Sequence, residues 1–145
     1  MDNKSLEIMS YKIRKHAINA VFSAASGHPG GSLSIADILA VLYFDKMNIE
    51  DPKDDERDRF VLSKGHCSPA LYGALCEKGY IKKEDITTFR HIDSCLQGHP
   101  DMKSVPGVDM STGSLGQGVS AACGMALNAK IDKKDYRVYA ICPDK

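Results

Sequence analysis

The sequence lacks three features that would each assign it to a familiar class of protein. Its 19 Lys and Arg balance 19 Asp and Glu, which argues against nucleic acid as the main partner. It has no long apolar run, so we expect neither a signal peptide nor a membrane partner. Its five cysteines contain no Cys-x-x-Cys pair. This argues against a zinc site or a disulfide framework and favours reduced thiols and a cytoplasmic location.

The chain length and the apolar pattern predict one α/β domain over residues 1–145. The glycine-rich stretch 27–33 fits no regular structure, and 91–115 reads as a long functional loop. A small parallel sheet flanked by helices accounts for the order of elements. Helices are expected over 5–25 (ended by Gly27), from the N-cap Ser34 to about 47, from the N-cap Ser68 to Gly79, over about 83–89 and through 119–129, with strands over 60–63 and 137–142.

What the sequence does contain is a repeated dipeptide. Three of its five histidines directly follow a glycine, at His28, His66 and His99. Glycine lets the backbone bend sharply or approach a ligand, and histidine exchanges protons near neutral pH. The pattern therefore predicts a histidine-lined site built from loops that converge on one side of the domain. The alternative for each is a turn or helix-end histidine, and for His99 alone a solvated loop histidine is the better interpretation.

Two stretches have the form of ligand-binding loops. His66 follows a predicted strand and precedes a helix, where ligands of open α/β sheets bind and where helix N-termini attract phosphate. Residues 113–118 have the spacing G-x-x-G-x-G, which is neither the dinucleotide-binding nor the P-loop pattern. Ligand contact and tight packing under a helix both remain open for this loop.

Together these loops resemble the N-terminal thiamine-diphosphate-binding part of transketolase. They occur in the family's order and at family-like separations across essentially the whole chain. Ser-Lys-Gly-His favours transketolase over the related deoxyxylulose-phosphate synthases. The matching segments are Ser26-Gly-His-Pro-Gly-Gly-Ser-Leu-Ser34, Phe60-Val-Leu-Ser-Lys-Gly-His66, Gln97-Gly-His-Pro-Asp101 and Ser111-Thr-Gly-Ser-Leu-Gly-Gln-Gly118.

The resemblance implies a partial thiamine-diphosphate-binding fold and a transferase that moves a two-carbon ketol unit between sugar phosphates. It implies that His28 and His99 assist proton transfers at the substrate hydroxyls. It also implies that His66 contacts the cofactor near its diphosphate, and that Gly113 and Leu115 hold the aminopyrimidine ring. These expectations place the chain in carbohydrate metabolism, in the pentose phosphate pathway.

The last residues depart from the family's pattern. The family reads Gly-Asp-Gly-Glu after this strand, and its aspartate binds the magnesium ion that bridges the diphosphate. Here Asp144 falls in register with that aspartate, so it is the expected metal and cofactor ligand, but Pro143 and Lys145 replace the glycines. The family's activating glutamate comes from another polypeptide segment across a dimer interface.

We therefore expect a truncated N-terminal section that shows no ketol transfer alone and works with a C-terminal transketolase section or subunit. We expect a homo- or hetero-oligomer, because a short sheet leaves an unpaired edge and exposed apolar faces. The alternatives are an inactive remnant, a module that binds a full-length relative, and another thiamine-dependent enzyme such as a deoxyxylulose-phosphate synthase.

Overall fold

Helices surround a short two-stranded sheet in the computed structural model, which describes residues 1–143. No helix in this part of the chain is long and apolar enough to cross a membrane. The helices are α1 (Asn3–Ala24), α2 (Pro29–Ser34), α3 (Ala36–Val41), α4 (Ser68–Glu77) and α5 (Gln117–Ile131), and the strands are β1 (Arg59–Leu62) and β2 (Val138–Ile141). A π-helical turn (Leu42–Lys46) and two 3₁₀ turns (Gly65–Cys67 and Lys83–Thr88) complete the regular structure.

The two strands are parallel, which confirms the α/β fold class and the small parallel sheet. Phe60 lies opposite Tyr139 and Leu62 opposite Ile141. The Ser63 N–H extends the pairing by donating to the Ile141 carbonyl at 2.9 Å. Because both strands end at the same edge of the sheet, the segments that follow them emerge side by side.

The core lies where α1, α3 and α4 pack on one another, and it includes Phe60 and Leu62 of β1. The periodic apolar positions of α1 face it, with Ile13, Ala17 and Ala20 buried. Every residue of α4 from Ser68 to Leu75 is buried. Such a central helix gives a fixed support for the loops packed at its start, and these include the predicted functional loop 91–115.

The glycine-rich stretch 27–33 was expected to be irregular, and this prediction is wrong. Pro29 opens the short helix α2, since a proline at the first helical position has a φ angle suited to a helix and lacks only an N–H that would be unpaired there. Ser34 is not the N-cap of the next helix. Its hydroxyl instead donates to the Gly31 carbonyl at 2.9 Å, and α3 follows Ile35 without a side-chain cap.

Two other helix ends differ from the sequence prediction. α1 ends at Ala24 and its cap is Ala25, in a left-handed conformation with φ of 47°, not Gly27. Ser68 is the first residue of α4 and not its N-cap, because its hydroxyl donates to the Gly98 carbonyl at 2.9 Å. In both cases the helix stops or starts within a few residues of the predicted position.

Candidate functional site

The loop before α5 is held against the end of β1. The Thr112 hydroxyl donates to the Leu62 carbonyl at 2.7 Å. A Cβ at Gly65 would lie 2.8 Å from the Thr112 carbonyl oxygen, and one at Gly118 would lie 2.7 Å from the Cα of Ser63. Real Cβ atoms do not approach other atoms so closely, so these two glycines permit the contact. The G-x-x-G-x-G loop thereby lies at the carboxyl end of the sheet, where α/β folds bind ligands.

His28 and His66 lie next to each other. Their ring centroids are 5.1 Å apart, with an angle of 62° between the planes. His28 is the exposed residue that precedes α2, whereas His66 lies in the 3₁₀ turn after β1 and is half-buried. The structure thus brings together two histidines that are 38 positions apart in the sequence.

His99 is the third histidine of the site, and its ring contacts the loop before α5. A Cβ at Gly113 would lie 3.4 Å from Cδ2 and 3.5 Å from Cγ of the His99 ring, so the imidazole packs over the Gly113 backbone. The Thr112 N–H donates to the Pro100 carbonyl at 3.3 Å, which links the two loops. The Tyr72 hydroxyl of α4 donates to the Gln97 carbonyl at 2.8 Å and so ties the segment before His99 to this helix.

The electrostatics of the site favour a neutral imidazole at His66. Burial is the main cause of its lowered pKa. The nearby charges of His28, Lys64 and His99 lower this pKa further. Lys64 is itself 7% exposed, and within residues 1–143 no carboxylate forms an ion pair with it. The site therefore carries an unneutralised positive charge beside a neutral histidine, a donor set that suits an anionic group such as phosphate.

Leu115 and Gly113 are both exposed on the surface of this loop, Leu115 by 58%. An exposed leucine beside an exposed peptide backbone offers apolar packing and hydrogen bonds to a flat polar ring. The prediction that these residues contact a ligand is therefore compatible with their placement.

The metal-binding expectation rests on Asp144, which lies outside the described residues, 1–143. Those residues contain no group of three or more His, Cys, Asp or Glu side chains that could hold a metal ion.

Sequence reasoning did not single out Thr112 or Lys64. Thr112 fastens the loop before α5 to β1, and Lys64 supplies the charge next to His66. The contact of Thr112 spans 50 positions and leaves no local pattern in the sequence. The signal that could have found Lys64 is its position between a buried strand and His66.

Comparison with known proteins identifies the family. Residues 6–140 match the family described as "Transketolase, thiamine diphosphate binding domain". The chain belongs to this family. The match covers nearly all of the described residues and confirms the resemblance inferred from the four loop segments.

Curated relatives of this family align with almost the whole chain. An apulose-4-phosphate transketolase subunit of Phocaeicola vulgatus is 46% identical over 146 residues, covering 99% of this chain and 52% of the relative. A 6-deoxy-6-sulfo-D-fructose transketolase subunit of Clostridium is 48% identical over 134 residues, covering 91% and 49%. Human transketolase is 44% identical over 144 residues, covering 97% and 23%. The chain thus spans about half the length of the two subunit-type relatives and about a quarter of the human enzyme.

Solved transketolase structures share the fold. The enzyme from Leishmania mexicana superposes with a TM-score of 0.89 at 36% identity, over 96% of this chain and 23% of that chain. The enzyme from Campylobacter jejuni gives a TM-score of 0.90 at 35% identity, over 99% and 24%. The small parallel sheet flanked by helices is therefore the family's fold over this part of the chain.

Proposed function

We propose that this chain forms the thiamine-diphosphate-binding part of a transketolase, a transferase that moves a two-carbon ketol unit from a ketose phosphate to an aldose phosphate. The observation that carries the proposal is the meeting of His28, His66 and His99 beside the exposed backbone of Gly113. Family membership supports the cofactor, and the relatives' names support the reaction type. When bound, thiamine diphosphate supplies the carbanion and the electron sink.

His66 and Lys64 suit the diphosphate end of the cofactor. A neutral imidazole donates one hydrogen bond from its ring N–H, and the lysine beside it adds charge that attracts phosphate oxygens. Gly113 and Leu115, exposed on the adjoining loop, would hold the aminopyrimidine ring by backbone contact and apolar packing. Asp144 would bind the magnesium ion that accompanies the diphosphate.

His28 and His99 are the residues we assign to the sugar phosphate substrate. Both imidazoles are exposed, and each lies beside a part of the cofactor pocket, His28 against His66 and His99 against Gly113. Imidazole side chains can take and return protons at the substrate hydroxyls. Tyr72 of α4 holds the segment before His99, and α2, which follows His28, packs against α4. Both imidazoles are therefore attached to the same central helix.

Catalysis would require a C-terminal transketolase section or subunit, which supplies the activating glutamate. α5 offers a surface for it, because α5 buries only Gly118, Ala122 and Ala129 while Leu127 and Ile131 are 59% and 69% exposed. The names of the two subunit-type relatives support an assembly of this kind. The five free cysteines fit a reducing cytoplasm, where the pentose phosphate pathway operates.

The exposed face of α5 also supports the alternative of a non-enzymatic module that pairs with a full-length relative. The two functions differ in whether they need thiamine diphosphate: ketol transfer requires the cofactor, and partner binding does not. A binding module would co-purify with its relative and alter its activity, whether or not the module binds thiamine diphosphate itself.

Titration calorimetry with thiamine diphosphate and Mg²⁺ tests the proposal. We expect saturable binding that His66→Gln weakens by about tenfold, equivalent to about 1.4 kcal/mol. The matched control is His91→Gln, an exposed histidine outside the site. With unphosphorylated thiamine as ligand, the effect of His66→Gln should disappear, because His66 is assigned to the diphosphate. An absence of binding, or equal effects of the two variants, would contradict the proposal.

A further inference from the structure

Arg90 connects the two loops that carry His28 and His99. Its Nη1 donates to the Ser26 hydroxyl at 2.6 Å, two residues before His28. On the other side, a Cβ at Gly98 would lie 2.7 Å from Nε and 2.8 Å from Nη2, so the guanidinium packs directly against the backbone that precedes His99. One side chain thus contacts both histidine-bearing segments.

Arg90 has an unfavourable backbone conformation and an unfavourable side-chain environment. Its φ angle of 63° is left-handed, a region that residues with a side chain seldom adopt. Its Nε is buried and has no hydrogen-bond partner among residues 1–143. Within the same residues, no carboxylate forms an ion pair with its guanidinium. Features of this kind cost folding free energy and concentrate at functional sites.

We propose that Arg90 is a positioning residue, which fixes the separation of the His28 and His99 loops so that both imidazoles reach one substrate. This inference rests on the proposed function for the role of the two histidines. The planar guanidinium presents its donors in a rigid arrangement and can contact two segments at once. A lysine ammonium on a flexible stem cannot keep both contacts, so charge alone does not replace it.

The first test needs neither cofactor nor turnover. NMR spectra of histidine-labelled protein would be compared between wild type and Arg90→Met. We expect the His28 and His99 imidazole signals to shift or broaden, while the buried His16, whose Nε2 lies 2.8 Å from the Glu77 carboxylate, stays unchanged. Unchanged His28 and His99 signals would overturn the proposal, as would an equal change at His16, since that would indicate a general loss of structure.

Matched variants separate positioning from charge. Arg14→Met removes an arginine whose guanidinium pairs with Asp37 at 2.6 Å, away from these loops, and should leave the His28 and His99 signals unchanged. Arg90→Lys should resemble Arg90→Met, and full recovery by lysine would contradict the proposal. Ser26→Ala removes one contact without altering Arg90. It should shift His28 more than His99, and it decides the question if Arg90→Met does not fold.

The second test uses the active enzyme assembled with its C-terminal section. Arg90→Met should lower kcat/KM by about 10²-fold, the effect of a small misplacement of catalytic groups, and leave the Kd for thiamine diphosphate unchanged. A parallel loss of cofactor affinity would overturn the positioning role. If the wild-type assembly shows no ketol transfer, the proposed function fails, whereas the NMR comparison still decides the structural role of Arg90.

Discussion

Replacing Gly118 with alanine tests how the loop before α5 is held against β1. The new Cβ would lie 2.7 Å from the Cα of Ser63 and 2.8 Å from its Cβ. Ser63 cannot easily move, because it is fully buried and its N–H donates to the Ile141 carbonyl in the sheet. Overpacking of this kind costs about 1–3 kcal/mol of folding free energy.

The same helix provides a matched control. A Cβ at Gly124 would meet no atom within 4 Å, and the position is exposed in the interior of α5. Gly124→Ala should therefore stabilise the chain by about 0.5–1 kcal/mol, through helix propensity alone. The two variants should then differ in free energy of unfolding by about 1.5–4 kcal/mol, the sum of the two effects.

Urea denaturation followed by far-UV circular dichroism measures this difference. The chain has no tryptophan, so fluorescence would report on tyrosine alone. Gly118→Ala should lower the urea midpoint without changing the m-value, and should weaken thiamine diphosphate binding because the 112–118 loop must move. The reasoning is refuted if Gly118→Ala unfolds at the wild-type midpoint, or if Gly124→Ala is destabilised as much as Gly118→Ala.

Two further predictions concern the same loops. Thr112→Val removes the hydroxyl that donates to the Leu62 carbonyl and should cost about 0.5–1.5 kcal/mol in the same denaturation assay, whereas Thr112→Ser should cost less; equal losses would contradict the role of the hydroxyl. The imidazole of His66 should titrate by NMR below the usual value of about 6.5, and added thiamine diphosphate should raise its pKa. In the free protein the lowered pKa means that, at pH values between it and about 6.5, the unfolded chain binds more protons at His66 than the folded chain does. His66 should therefore make the free energy of unfolding rise with pH up to about 6.5. A His66 pKa above that value in the free protein would contradict this.

The elements could be predicted because each has a strong local pattern. The apolar repeat of α1 and the short buried run of β1 appear in the structure within a few residues of the predicted bounds. The exact ends of the helices could not be predicted, because a side chain that could cap a helix can instead form a hydrogen bond with a distant part of the chain. The Ser68 hydroxyl could have capped α4, but a carbonyl 30 positions away accepts its hydrogen bond instead. No local rule identifies such an acceptor.

The sequence predicted that the loops of the site converge, but not which side-chain contacts hold them in place. Turn-forming glycines and a strand before His66 indicated loops at one edge of a sheet. The contacts that hold those loops are tertiary: Thr112 reaches Leu62, and Arg90 reaches Ser26 across 64 positions. Thr112 lies within the non-periodic stretch 91–115 and Arg90 directly before it, where sequence patterns carry no information about partners.

The repeated Gly-His dipeptide does not encode one local conformation. His28 precedes a short helix, His66 lies in a 3₁₀ turn, and His99 lies in an irregular loop. The dipeptide is therefore not a structural motif in the sense of a turn type. What the three copies share must come from the glycine's neighbours in space.

Each of the three glycines packs closely against another residue. A Cβ at Gly27 would lie 2.7 Å from Cγ2 of Val21, and those at Gly65 and Gly98 would lie 2.8 Å from a carbonyl oxygen and 2.7 Å from a guanidinium nitrogen. In each pair the glycine anchors the backbone to another element, and the next residue projects its imidazole from that anchor. The three Gly-His pairs thus share close packing at the residue before the imidazole, although their local conformations differ.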